Sequence, residues 1–304
     1  MSEINRMEPP LPVKPPFSYE EQVAQLCRKG IVVEDPTACT AFLNQASYYR
    51  LSAYFLPFKC SDGTYLEGIS FSRVQRIYEF DSHIRALLFP VIETIEFYIR
   101  TQFGYYIAFH YGSLGYQDEA MFNARHKKDI FASRVKTCIE ENRRTPIVLH
   151  HNQKYGGQFP IWVLIEFFSM GMLSYLYADL LTPDKKKLAR ASFGTSAECL
   201  ESWLRCLTDL RNRCAHYARL YYWSFSAIPK MPRSLHHPAD RRLFSQILML
   251  KLLYPDPTQW NREIFPALKT LLEAYLPDIS LVHIGFPENW EELLTFSFYS
   301  SLRF

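Results

Sequence analysis

Apolar and polar positions alternate with helical rather than strand periodicity along most of the chain. Ser18-Tyr19-Glu20-Glu21 has the S-x-x-E spacing of a capping box, which predicts a helix from Ser18 to about Gly30. Asp35-Pro36 supplies the next cap and first-turn proline, launching a helix towards Ala46, and the pattern resumes over residues 44–58. Cys60-Ser61-Asp62-Gly63-Thr64 is turn-rich and marks a subdomain boundary. From Ser70 to about Tyr111 the period is again helical, broken only by Pro90, which kinks one helix or divides it into two. A polar, basic helix is expected over Arg125–Arg144 and an apolar one over 160–181. A long helix should occupy 196–224, closed before Pro229 and Pro232. Two or three more fill 239–299 between Pro255, Pro257, Pro277 and Pro287. Nothing reads as a strand or an internal repeat, so the fold class predicted is all-α: a helical bundle with additional N- and C-terminal helices.

Composition narrows this picture slightly. Hydrophobic residues at 48% and charged residues at 21% suit a folded domain, and a net charge of +3 is too small to argue for nucleic acid without local clustering. Seven cysteines, an odd number with no CxxC, predict reduced, buried thiols in a cytoplasmic protein. The N-terminal stretch is polar and Pro-rich with no apolar core, so no secretory signal is expected. Phe159–Leu181 is the one stretch resembling a membrane span, but Glu166 and Asp179 within it favour a buried helix and no membrane association. Phosphate-loop, dinucleotide, hydrolase-elbow and zincin motifs are all missing. The adjacent pairs His150-His151 and His236-His237 point apart on a helix and read as surface or loop histidines, so no metal or cofactor is expected.

The chemistry concentrates on Arg211-Asn212-Arg213-Cys214-Ala215-His216. Projected as one ideal helix, Trp203, Leu207, Leu210, Cys214, Tyr217 and Tyr221 form an apolar stripe, while Arg205, Thr208, Asn212, His216 and Arg219 lie opposite. Arg211 sits on the flank, diverging from His216 by about 140°. A solvated face laced by Arg205–Asp209 and Asp209–Arg213 pairs would produce the same pattern. An imidazole near neutrality moves protons, and a guanidinium holds phosphate oxygens and stabilises charge that develops on them. Together they suit RNA cleavage by its own 2′-hydroxyl, which needs no metal.

Arg211-Asn212-x-x-x-His216 resembles the R-N-x-x-x-H signature of HEPN ribonucleases. Four blocks narrow the resemblance to abortive-infection proteins of the AbiD/AbiF type: residues 46–54 (ASYYRLSAY), Tyr78–Asp81 with Ile95–Thr101, Pro160–Val163 through Glu166 to Gly171–Ser174, and Gly285–Trp290. The resemblance implies a HEPN core, anti-phage defence, metal-independent RNA cleavage and, in some relatives, association with a small non-coding RNA. By the same resemblance His216 is the general acid/base, Arg211 the phosphate anchor, and Asn212 orients one of them. Glu96 and Arg100, four apart on the earlier helix, are candidate supports or an ordinary intrahelical pair. Because HEPN sites combine two motif copies and this chain has one, a homodimer is expected.

The expected organisation is a Pro-rich arm (1–16), an N-terminal helical subdomain (17–66), a HEPN-like core (67–230) and a C-terminal helical extension (231–304). RNA phosphates could meet Lys185, Lys186, Lys187 and Arg190, with Arg205 and Arg219 beside the motif. A second basic stretch spans Arg125, Lys127, Lys128, Arg134, Lys136, Arg143 and Arg144, and a solvated helix face explains it equally well. Two alternatives to a nuclease stay open: a non-catalytic RNA-binding defence protein gripping phosphate with the same Arg/His face, and an interaction protein whose polar face is merely solvated.

Overall fold

Local capping chemistry sets the first helices. Ser18 and Glu21 exchange both hydrogen bonds of a capping box (Glu21 N to Ser18 Oγ 3.2 Å, Ser18 N to Glu21 Oε2 2.7 Å), starting α1 (Tyr19–Arg28). Asp35 accepts from Thr37 N and Ala38 N and starts α2 (Pro36–Gln45). The structure, a computed structural model, describes residues 15–235 and 237–297. Most of the proline-rich arm, and His236, therefore lie outside the described residues.

The chain forms two compact units, residues 1–78 and 79–304. In the first, α1, α2 and a short α3 (Tyr48–Ser52) enclose Leu26, Leu43, Leu51, Tyr54 and Phe55, with Phe42 and Tyr54 packed edge-on against Tyr78. Lys59 and Tyr65 form one isolated bridge across the turn at 60–64, and among the described residues there is no sheet.

The long helix α4 (Phe71–Tyr111) is a single element despite Pro90. Pro90 and Ala86 are both exposed, so the Ala86 carbonyl that loses its intrahelical donor faces solvent and the helix continues. Next come α5 (Lys128–Glu141), α6 (Pro146–Tyr155) and the short α7 (Ile161–Leu164). The apolar stretch predicted as one helix over 160–181 is in fact broken: Phe168 turns extended, and Ser169 caps α8 (Met170–Asp179) through its Oγ. Arg100 compensates the break by donating to the freed Phe168 carbonyl at 2.8 Å. Among the described residues no helix is long and apolar enough to cross a membrane.

Helix α9 (Thr182–Phe193) precedes α10 (Ala197–Ala215), which packs on both α8 and α9. Ser196 caps α10, and Leu200, Trp203, Leu204, Cys206, Leu207, Leu210 and Cys214 form its buried face. The Trp203 indole donates to Lys230 O at 2.7 Å, and Phe103 of α4 stacks on Tyr177 of α8 at 5.6 Å. Behind α10 lies α11 (Leu243–Leu253), in which even Ser245 and Gln246 are fully buried. The remaining helices are α12 (Pro257–Gln259), α13 (Phe265–Tyr275) and α14 (Trp290–Leu294), with a π-turn at Trp260–Ile264 immediately before Pro266. A proline ring clashes with the carbonyl four residues back, and the wider π-turn relieves that crowding.

Five of the seven free thiols are buried, while Cys27 is exposed and Cys60 half-buried, so uniform burial of the cysteines was too simple an expectation. His151 is likewise no surface residue: it is buried on α6, with Nδ1 3.0 Å from Gln158 O.

Candidate functional site

Helix α10 stops at Ala215, nine residues short of the expected end at 224. His216 is its C-cap (φ −99°, ψ 16°), and Tyr217 takes the left-handed conformation at φ 55°. Ala218 N donates to Arg213 O at 2.8 Å and Tyr217 N to Cys214 O at 3.2 Å, the bond pair of a Schellman stop. Glycine is the usual residue there, because a Cβ makes left-handed backbone costly. No local signal in His216-Tyr217-Ala218-Arg219 announces the stop.

The cause comes from α4. Asp81, fully buried, accepts from Leu220 N at 3.0 Å and Tyr221 N at 2.6 Å. Its neighbour one turn on, Arg85, pairs with Asp81 and donates to Ala218 O at 3.3 Å. Tyr222, also left-handed at φ 53°, is packed against His283 and under Arg242, and Phe225 N reaches Arg241 O at 2.8 Å. The projection as one helix through 221 therefore fails past Ala215. Tyr217 is 67% exposed instead of lying on the apolar stripe, and Tyr221 is buried but non-helical. The Cys214 thiol, buried beside this pair, is pushed up to about 12 by desolvation and is no nucleophile.

Arg211, one turn before the stop, turns towards α4. Its Nε lies 3.7 Å from Glu96 Oε2, and its Nη1 lies 3.5 Å from Asn212 Oδ1. Glu96 is bonded at its other oxygen by Arg100 Nη2 at 2.6 Å, so the carboxylate stands between two guanidinium groups. Glu96 and Arg100 are each nine-tenths buried, whereas the Arg211 side chain is 35% exposed. Phe89, Ile92, Glu93 and Phe97 complete a recess of about 150 Å³ beside Arg211. That is below the roughly 300 Å³ at which small-molecule pockets begin. An anion entering it would meet unused guanidinium donors of Arg211, while Glu93 and Glu96 keep the recess from being uniformly positive. A larger apolar cleft of about 430 Å³ beside α5, lined by Phe122, His126, Phe131 and Phe159, contains none of the motif residues.

The fold thus brings Arg211, Asn212, Glu96 and Arg100 together and leaves His216 apart. Asn212 and His216 are both exposed, joined through the backbone (His216 N to Asn212 O, 2.9 Å). Among the described residues no hydrogen bond or ion pair links the His216 imidazole to Arg211 or Asn212. The Asp209–Arg213 pair expected from spacing forms at 3.2 Å, and Arg213 also lies flat on Trp223 at 3.8 Å. Burial draws the Arg213 guanidinium below its usual range, an effect Asp209 opposes. The sequence reading missed Asp81 and Arg85. Their only local signal is a pair of opposite charges four apart among otherwise apolar helix positions.

Of the basic candidates, Lys186, Lys187, Arg190 and Arg205 are exposed, and Arg219 is half-buried beside Trp223. Lys185 does not belong with them: it is buried and pairs with Glu201 of α10 at 2.9 Å, an acid that is distant in sequence. Several residues of the other basic stretch are also engaged, Lys128 with Glu119, Arg143 with Glu140, and Arg134 over the Tyr175 ring. Among the described residues no group of three or more His, Cys, Asp or Glu is placed to hold a metal ion.

Comparison with curated proteins and with solved structures returned no match. Residues 41–222, which include the Asp81–Arg85 pair, the Glu96–Arg100–Arg211 cluster and the α10 terminus, match the family described as Abi-like protein, and the chain belongs to that family of abortive-infection proteins.

Proposed function

We propose that the chain is an abortive-infection effector that cleaves RNA without a metal, through attack of the substrate's own 2′-hydroxyl. His216 acts as general acid/base, Arg211 anchors the phosphate, Asn212 orients Arg211, and Glu96 with Arg100 holds Arg211 in place. The observation that carries this reading is the Arg211 guanidinium, fixed at a recess by a buried carboxylate yet one-third exposed, on the same helix end as a solvent-facing imidazole. Its resemblance to the HEPN signature supports the same roles. Because Arg211 and His216 are not linked within one copy, the proposed active form is a homodimer that brings the His216 of one copy to the Arg211 of the other. Lys186, Lys187, Arg190, Arg205 and Arg219 are the proposed contacts to RNA phosphates, and a small non-coding RNA is a proposed partner.

The test is cleavage of an RNA pool by the purified full chain in EDTA, with product ends identified. Cyclic 2′,3′-phosphate ends are expected. His216→Ala should lose about 10²–10⁴-fold in rate, the usual contribution of a general acid/base, with RNA binding kept. A requirement for Mg²⁺, or undiminished cleavage by His216→Ala, would overturn the mechanism. A mass measurement by light scattering tests the dimer, and a monomer with RNA bound would rule it out. The separation of Arg211 from His216 also favours a second reading, a non-catalytic RNA binder. In that case His216→Ala weakens binding and no cleavage is found in the parent protein.

A further inference from the structure

The segment after Ala215 contradicts its own sequence. From His216 to Phe225 there is neither glycine nor proline, and the apolar spacing continues that of α10, so local preference is for more helix. Yet the helix ends, and two tyrosines, Tyr217 and Tyr222, sit in left-handed backbone at φ 55° and 53°. Strain of this kind persists only where surrounding contacts over-determine it. Those contacts are the Asp81 carboxylate on the Leu220 and Tyr221 amides and the Arg85 guanidinium on the Ala218 carbonyl. Asp81 is entirely buried, and Arg85 is the cation that makes its burial tolerable.

We infer that Asp81, with Arg85, is a positioning residue: its grip on the 218–221 backbone stops α10 at Ala215 and thereby sets where the His216 imidazole stands. This rests on the nuclease reading only for its effect on rate. In an extended helix His216 would lie one turn above Asn212 on the α10 surface. Held as the C-cap before a left-handed Tyr217, it projects from the helix terminus instead. The device is a competition between local helix preference and one long-range charge pair. Weakening the pair should therefore move the imidazole without disturbing the rest of α10.

Asp81→Asn, Tyr217→Gly, Tyr217→Ala and the double variant Asp81→Asn/Tyr217→Gly test this in the full-length protein. In Asp81→Asn the Leu220 and Tyr221 amides should exchange with solvent at least ten-fold faster, with α11 amides unchanged, and the His216 imidazole NMR signals should move. If the parent cleaves RNA, kcat should fall at least ten-fold with KM within about two-fold. Glycine at 217 removes the left-handed cost, so the double variant should recover the His216 signals and most of kcat, which repair of general stability alone would not do. Tyr217→Gly and Tyr217→Ala both delete the ring and differ only in backbone cost. The glycine variant should protect Leu220 and Tyr221 about five- to thirty-fold better than the alanine variant, a comparison that stands even if Asp81→Asn does not fold. Unchanged exchange and imidazole signals in Asp81→Asn, or equal protection in the two Tyr217 variants, would overturn the inference. A parent that cleaves no RNA would remove the nuclease reading and leave the exchange and NMR readouts to decide the clamp.

Discussion

Removing the Glu96 carboxylate should cost far more stability than removing the Arg211 guanidinium it faces, although the two are ion-pair partners. Glu96 and Arg100 are both nine-tenths buried and bonded at 2.6 Å. Breaking one side of such a pair leaves an uncompensated buried charge and costs about 3–5 kcal/mol. Arg100 keeps its bond to the Phe168 carbonyl, which places Glu96→Ala near the lower end, about 3 kcal/mol. The Arg211 contact is longer, 3.7 Å, and its side chain is 35% exposed, so Arg211→Ala should cost less than about 1 kcal/mol. For a domain of this size the larger loss corresponds to a fall in Tm of roughly 6–12 °C. Urea denaturation of Glu96→Ala, Arg100→Ala, Arg211→Ala and the two doubles would separate the pairs by mutant cycles. Coupling of about 2 kcal/mol or more is expected for Glu96 with Arg100, and under about 1 kcal/mol for Glu96 with Arg211. Equal coupling energies, or a Glu96→Ala loss below about 1 kcal/mol, would refute the claim that Arg100 is the partner Glu96 is buried for. The asymmetry also has a practical consequence. Arg211→Ala reports on chemistry in a folded protein, whereas Glu96→Ala mixes chemistry with unfolding.

Asp184 offers a similar test away from the motif, since its two oxygens each accept a tyrosine hydroxyl from α4 at 2.6 Å, from Tyr106 and Tyr111. Asp184→Ala should cost about 3 kcal/mol and Tyr111→Phe about 1–2 kcal/mol by denaturant unfolding, and equal losses would show that only one bond counts. Lys251, buried on α11, donates to Leu293 O and Thr295 O, and desolvation lowers its amine to about 8. Below pH 8 folded and unfolded states are both charged. Between about 8 and the usual lysine range the unfolded state binds more protons, so stability rises with pH across that window. A neutral amine retains two N–H donors for the same two carbonyls. Denaturation of the parent and Lys251→Met at pH 7.5 and 9.5 should show the parent gaining relative to the variant, and a pH-independent difference would contradict the burial effect.

Much of the fold was legible because its signals are local. Ser18-x-x-Glu21 and Asp35-Pro36 satisfy backbone donors within one turn, so the starts of α1 and α2 follow from a few neighbouring residues. The buried face of α10 from Leu200 to Cys214 follows from period alone. The identities of Arg211, Asn212 and His216, and the helix that carries them, were likewise readable, whereas their mutual geometry was not. Asp81 acts on Leu220 from 139 residues away, and no pattern near Tyr217 encodes that bond. Glu201 took Lys185 out of the basic surface, and Arg100 took up the carbonyl freed where the apolar stretch breaks at Phe168. Pro90 stayed inside α4 because the face it disrupts is the solvent face, which tertiary packing chose. In each case the deciding term is a charge, or a carbonyl without its helical donor, that a partner remote in sequence or the solvent must satisfy. The sequence by itself therefore determined which segments are helical and which residues carry the chemistry. Tertiary structure decided where α10 ends and so where His216 stands, because ending a helix against local preference requires buried hydrogen bonds from elsewhere in the chain.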